Sequence, residues 1–161
     1  MRSSLRSLAA ALALATPLLA PLAAHAQGPV PGAVSVARTT DDALIIWDAS
    51  AEVGGFVSNK TPDDQANAQL RHDAVRVAAA NLSKLEKSAK TVTIRVIYNK
   101  TGAVSPVYHA ETFAGVVRYA TLVFPYKEAA ADKDHWKTLD AKSPLPGWMK
   151  FTVLDKLPPS A

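Results

Sequence analysis

The period of the apolar positions changes along the chain, and each change marks an element. Ala43-Leu44-Ile45-Ile46-Trp47 is a compact run of β-branched and aromatic residues that predicts a buried strand. A turn at Thr39-Thr40-Asp41-Asp42 and a short apolar stretch, 33–37, precede it. From Leu70 the apolar residues recur at threes and fours through Ala74, Val77, Ala78, Leu82 and Leu85, while Arg71, Arg76, Lys84 and Lys87 fall mainly off that stripe. This is the pattern of an amphipathic helix. Its start is predicted at Thr61-Pro62-Asp63-Asp64: the threonine can cap free backbone N–H groups, the proline fits the first helical position, and the aspartates suit the positive end of the helix dipole. The stripe carries the helix to about Ser88. Gly54-Gly55-Phe56-Val57, between the strand and this helix, reads as a second short strand or the bend leaving the first.

Period two returns at Val92, Ile94, Val96 and Tyr98, which predicts a strand with one apolar face. Asn99-Lys100-Thr101-Gly102 then has the chemistry of a hairpin turn, and 103–111 is expected to return antiparallel, with Pro106 at an edge or bulge. Phe113, Val116, Ala120 and Val123 fit a helix, yet the β-branched and aromatic content of 116–124 and the stop at Pro125 favour a strand. A short solvated helix within 126–139, a turn at Pro144-Leu145-Pro146-Gly147 and a final strand over 148–154 complete the order. The fold class is therefore α+β, one long helix packed on an antiparallel sheet of four to five strands.

The first residues change the accounting. Arg2 and Arg6 precede a Leu/Ala run at 8–15, and Ala24-His25-Ala26 places small residues where a signal peptidase reads. The run is too short to span a membrane and is followed by Pro17 and Pro21. The expected organisation is a cleaved secretory signal peptide over 1–26, a flexible lead-in over 27–32, a single domain over 33–155 and a Pro-rich tail over 156–161. Removing 26 of the 161 residues leaves 135, enough for a core of its own. Two arginines leave with the leader, so the formal charge of +4 falls to +2, and no run of five or more Lys/Arg remains. Nucleic acid is not an expected partner. The chain has no Cys, so it depends on neither disulfides nor thiolate chemistry, and no later stretch is apolar enough for a membrane span.

The sequence also lacks familiar catalytic signatures. There is no Gly-rich phosphate loop, no Gly-x-Ser-x-Gly and no His-Glu-x-x-His. His72 and Asp73 are adjacent on the predicted helix, where neighbours point about 100° apart, so they do not form a base and its orienting carboxylate. His135-Trp136 falls among charged residues and is read as solvated. His109 and Glu111 are two apart, and on a strand both point to one face, where they offer a nitrogen and an oxygen to one ion or ligand. Arg118 alternates outward between Val117 and Tyr119. These three are the candidate ligand-binding residues; no catalytic residue, metal set or cofactor is expected. The favoured function is an exported, soluble, non-catalytic periplasmic binding or interaction domain, using the sheet face opposite the helix to hold a protein or small-molecule partner in the cell envelope. The alternative is a metal-dependent or small-ligand enzyme with a site near His109 and Glu111.

Overall fold

The computed structural model describes residues 33–38, 41–85, 89–100, 114–136 and 138–159. The leader and the lead-in lie outside them, as do 103–111 and the end of the tail. The chain is α+β, with an open five-stranded sheet in the order β1 (Ala33–Arg38), β2 (Asp42–Asp48), β3 (Thr91–Asn99), β4 (Val116–Pro125) and β5 (Lys150–Val153). Two helices, α1 (Ser50–Ser58) and α2 (Asp63–Asn81), join β2 to β3. Two short ones, α3 (Tyr126–Ala131) and α4 (Lys133–Trp136), follow β4.

The sheet is mixed, not antiparallel as expected. β2 and β3 run parallel, with Ile45 against Ile94 and Trp47 against Val96, and every other pair is antiparallel. The reason is the connection: α1 and α2 carry the chain back to the end of the sheet where β2 began, and a strand that starts there can only run alongside β2. The C-terminal ends of β2 and β3 therefore share one end of the sheet.

The apolar stripe of α2 is the one its spacing predicts. Leu70, Ala74, Val77 and Ala78 are buried against Ile45, Trp47, Ile94, Val96 and Leu122. The helix is shorter than the stripe: its α-helical part ends at Asn81, a 3-10 turn covers Leu82–Lys84, and Leu85 is extended. At 19 residues it is about 28 Å long. The stripe outlasts the helix because Leu82 and Leu85 stay buried after the backbone has left it. The start also differs. Pro62 occupies the N-cap position, no side chain caps the helix, and Pro62 O accepts the first turn's bond from Ala66 N–H at 2.9 Å.

α1 corrects the reading of the double glycine. Val53 is buried on one face, and Phe56 and Val57 pack against the core. The helix closes through Lys60, whose φ of 52° lets Lys60 N–H reach Val57 O at 3.2 Å and Thr61 N–H reach Phe56 O at 2.9 Å. That is a Schellman ending, with a lysine where glycine is usual. Buried apolar contacts and a closed C-terminus outweigh the low helix propensity of Gly54-Gly55.

β4 is a strand, as favoured, and it is the antiparallel neighbour of β3, closed by Lys100 N–H on Gly115 O at 3.0 Å. The segment over 126–139 is less solvated than expected. Ala129 and Trp136 are fully buried, the Trp136 indole N–H donates to Ala129 O at 2.8 Å, and Phe124, Trp136 and Trp148 form an aromatic cluster with centroids 6.0–6.5 Å apart. Arg71 of α2 anchors the loop that follows, donating to Ala141 O at 2.7 Å. Among the described residues no helix is long and apolar enough to cross a membrane.

A cleft at the shared strand ends

The parallel pair brings the exits of β2 and β3 together, and a small hydrogen-bonded staple holds them. Asp48, only 5% exposed, accepts through one carboxylate oxygen both Ser50 N–H, at 2.9 Å, and the Ser50 hydroxyl. The same hydroxyl oxygen accepts Asn99 N–H at 2.9 Å, and Ala49 N–H donates to Ile97 O at 2.8 Å. The start of α1 is thus tied to the end of β3. The Ser50 hydroxyl is committed as donor and acceptor, which makes it a strut and not a ready nucleophile.

Above the staple lies a cleft of about 570 Å³. One wall is a single face of α1: Ser50, Val53, Gly54, Val57 and Ser58 follow the spacing of one helical stripe. The facing wall is Tyr98, Asn99 and Lys100 with the chain segment 155–159. A β-bulge steers that segment into place. The β3–β4 register shifts between Val96 and Ile97, leaving Tyr119 as the extra residue of β4, and Tyr119 O accepts the N–H groups of both Leu154, at 2.7 Å, and Asp155, at 3.2 Å. The chain then turns across the sheet end, the Tyr98 hydroxyl donates to Lys156 O at 3.3 Å, and Leu157 packs on the core. The Pro-rich tail forms, as far as Pro159, part of the cleft wall.

The two tyrosines beneath this wall are held un-ionised. Burial pushes the Tyr98 hydroxyl up, helped by the charge of Asp155. Burial, with the charge of Asp63 and the neighbouring Tyr98, pushes Tyr119 up to about 12. Their rings meet edge to face at 6.2 Å, and the Tyr119 hydroxyl donates to Asn67 Oδ1 of α2.

Gly54 lines the cleft, and its helical neighbour Gly55 does not. Both glycines of α1 sit inside the helix without positive φ, the only positive-φ glycine among the described residues being Gly115. Backbone conformation does not require glycine at 54. A Cβ built there, as at Gly55, meets nothing within 4 Å beyond its chain neighbours and the helix's own backbone, and at Gly54 that open space borders the cleft.

A second polar group lies at the α1–α2 junction. Glu52 Oε2 is buried and has no hydrogen-bond partner among the described residues, and burial pushes its carboxyl up, with Asp73 and Asp48 adding like charge against the pull of its own backbone N–H. Asp73, 5% exposed, accepts from Gln69 at 3.1 Å and Arg76 at 3.2 Å. His72 Nδ1 stands 3.7 Å from Asp73 Oδ1, beyond hydrogen-bond distance, in line with their adjacency on one helix. Among the described residues no group of three or more His, Asp or Glu is arranged to hold a metal ion.

Of the candidate residues read from sequence, His109 and Glu111 lie outside the described residues. Arg118 is exposed on the face of β4 opposite the helices, in register with Ile97, and is not part of the cleft. That face is not bare: Ile46 and Ile97 are buried there, with Leu44 and Val116 packed beside them. Sequence reasoning missed Gly54, Lys100 and Lys156 as lining residues; the available signal was a glycine pair between Val53 and Phe56-Val57, whose spacing also suits a helix. No family model, curated protein or solved structure matches the chain.

Proposed function

We propose that this chain is an exported, non-catalytic binding domain of the cell envelope, and that it takes a small ligand into the cleft between α1 and the 155–159 segment. The observation that carries this reading is the opening at the shared carboxyl ends of β2 and β3, which Gly54 borders without a side chain. A glycine inside a helix costs about 0.5–1 kcal/mol relative to alanine. Neither Gly54 nor Gly55 has a backbone justification, and Gly54 is the one of the two that borders the cleft, where it leaves the middle of the wall clear. Local rules are expected to give way where a site needs room.

Three further points support it. The volume, about 570 Å³, falls within the size range of small-molecule sites. The cleft stands at the carboxyl ends of two parallel strands, the end where open α/β sheets commonly bind ligands. Its hydroxyls are already engaged, Ser50 as described, Ser58 with Gly54 O at 2.8 Å and Tyr98 with Lys156 O, which favours holding a ligand over attacking one. Export rests on the leader pattern.

The test is a thermal-shift screen of small apolar and amphipathic compounds on the full chain and on Gly54→Leu, which fills the cleft from α1. Compounds that stabilise the parent but not the variant are the expected result. A screen without hits, or hits that bind Gly54→Leu equally well, removes the proposal. Fractionation of cells expressing the tagged chain tests export: a product beginning near Gln27 outside the cytoplasm is expected, and an intact chain inside it refutes that part.

A further inference from the structure

Resting on the cleft as a binding site, we propose that its ligand is an amphipathic organic monoanion, an alkyl carboxylate whose chain lies along α1 and whose charge sits between Lys100 and Lys156. The argument is the distribution of polarity. Val53, Val57, Leu157 and Pro158 supply apolar surface, with Gly54 leaving the α1 wall beside Val53 and Val57 open. An extended hydrocarbon placed there leaves water without displacing any hydrogen bond, because the lining hydroxyls already bond within the protein.

Charge enters only at the rim. Lys100 follows the end of β3 and Lys156 belongs to the 155–159 segment, so the two stand on the same wall, and the α1 wall contributes no charged lining residue. Both are exposed, and neither ammonium group has an ion-pair partner among the described residues. Asp155 is the one lining carboxylate, and one of its oxygens accepts Lys156 N–H at 2.7 Å. Two cations against one anion leave the lining with a net positive charge. A cationic ligand would meet two like charges for one opposite charge, and a neutral one would leave both ammonium groups unused. The helix start plays no part, since Ser50 N–H is taken by Asp48.

Isothermal titration of the full chain at low salt with decanoate, 1-decanol and decyltrimethylammonium, all below their aggregation limits, tests the class. Decanoate is expected to bind about two- to fivefold more tightly than decanol, the scale of exposed charge pairs, and added salt is expected to erase the difference. The K100Q/K156Q double variant is expected to bind both equally, at the decanol affinity. Equal binding of decanoate and decanol to the parent, with both lost in Gly54→Leu, overturns the anion assignment while leaving the cleft as a site. Tightest binding of decyltrimethylammonium also overturns it. Absence of binding by all three overturns this inference, whereas the compound screen decides the cleft reading independently.

Discussion

Replacing Gly54 by alanine separates the structural and functional parts of the argument in one residue. The position is in the interior of a nine-residue helix, has no positive φ and, beyond its chain neighbours and the helix's own backbone, has no heavy atom within 4 Å of an added Cβ. The variant therefore acquires no clash and no strain, and its unfolded chain has fewer conformations to lose. The expected gain is about 0.5–1 kcal/mol, which for a domain of this size raises Tm by about 2–4 °C. Urea unfolding gives the cleanest measurement: the midpoint is expected to rise with an unchanged slope. Gly115→Ala is the matched control. Gly115 has φ of 87° at the β3–β4 turn, so the same substitution is expected to cost about 1–2 kcal/mol. If Gly54→Ala destabilises, residues 50–58 are not the helix described or the space beside Gly54 is not open, and the cleft proposal loses its main support. If it stabilises and also weakens ligand binding, both halves stand.

Asp48→Ala leaves Ser50 N–H and its hydroxyl without their buried acceptor and is expected to cost about 1–3 kcal/mol in urea unfolding; an unchanged midpoint would show that the staple does not hold α1 to β3. Glu52→Gln tests the α1–α2 junction through pH. The raised pKa of Glu52 means that the folded state holds its proton to higher pH than the unfolded state, so the relative stabilisation is fully present below the ordinary carboxyl range and is lost as pH rises through the folded pKa. The variant is accordingly expected to be more stable than the parent at pH 7, with the gap closing as pH falls below that range; a gap that widens on acidification contradicts the burial of Oε2. Ultraviolet titration is expected to show Tyr98 and Tyr119 ionising above the usual pH 10, Tyr119 near 12, with their stabilising contribution lost as pH rises from about 10 through those values. Tyr98 and Tyr119 titrating at the ordinary pH would refute their burial beneath the 155–159 wall.

Elements whose pattern is local were legible without coordinates. Leu70 to Ala78 at threes and fours, Val92 to Tyr98 at twos and the β-rich run before Pro125 each carry their period in the side chains themselves, and α2, β3 and β4 lie where those periods put them. α1 was not legible, because Gly54-Gly55 argues against a helix locally and the compensation comes from the core contacts of Val53, Phe56 and Val57. Strand direction was not legible either. It follows from the path of α1 and α2 back along the sheet, which no window of residues encodes. The cleft depends on both. Its lining joins residues 50–58, 98–100 and 155–159, brought together by a parallel pairing, a bulge at Tyr119 and a buried aspartate. Periodicity decides which face of an element is apolar. Only the shared core, where distant faces compete for the same buried space, decides which elements meet and what opening is left between them.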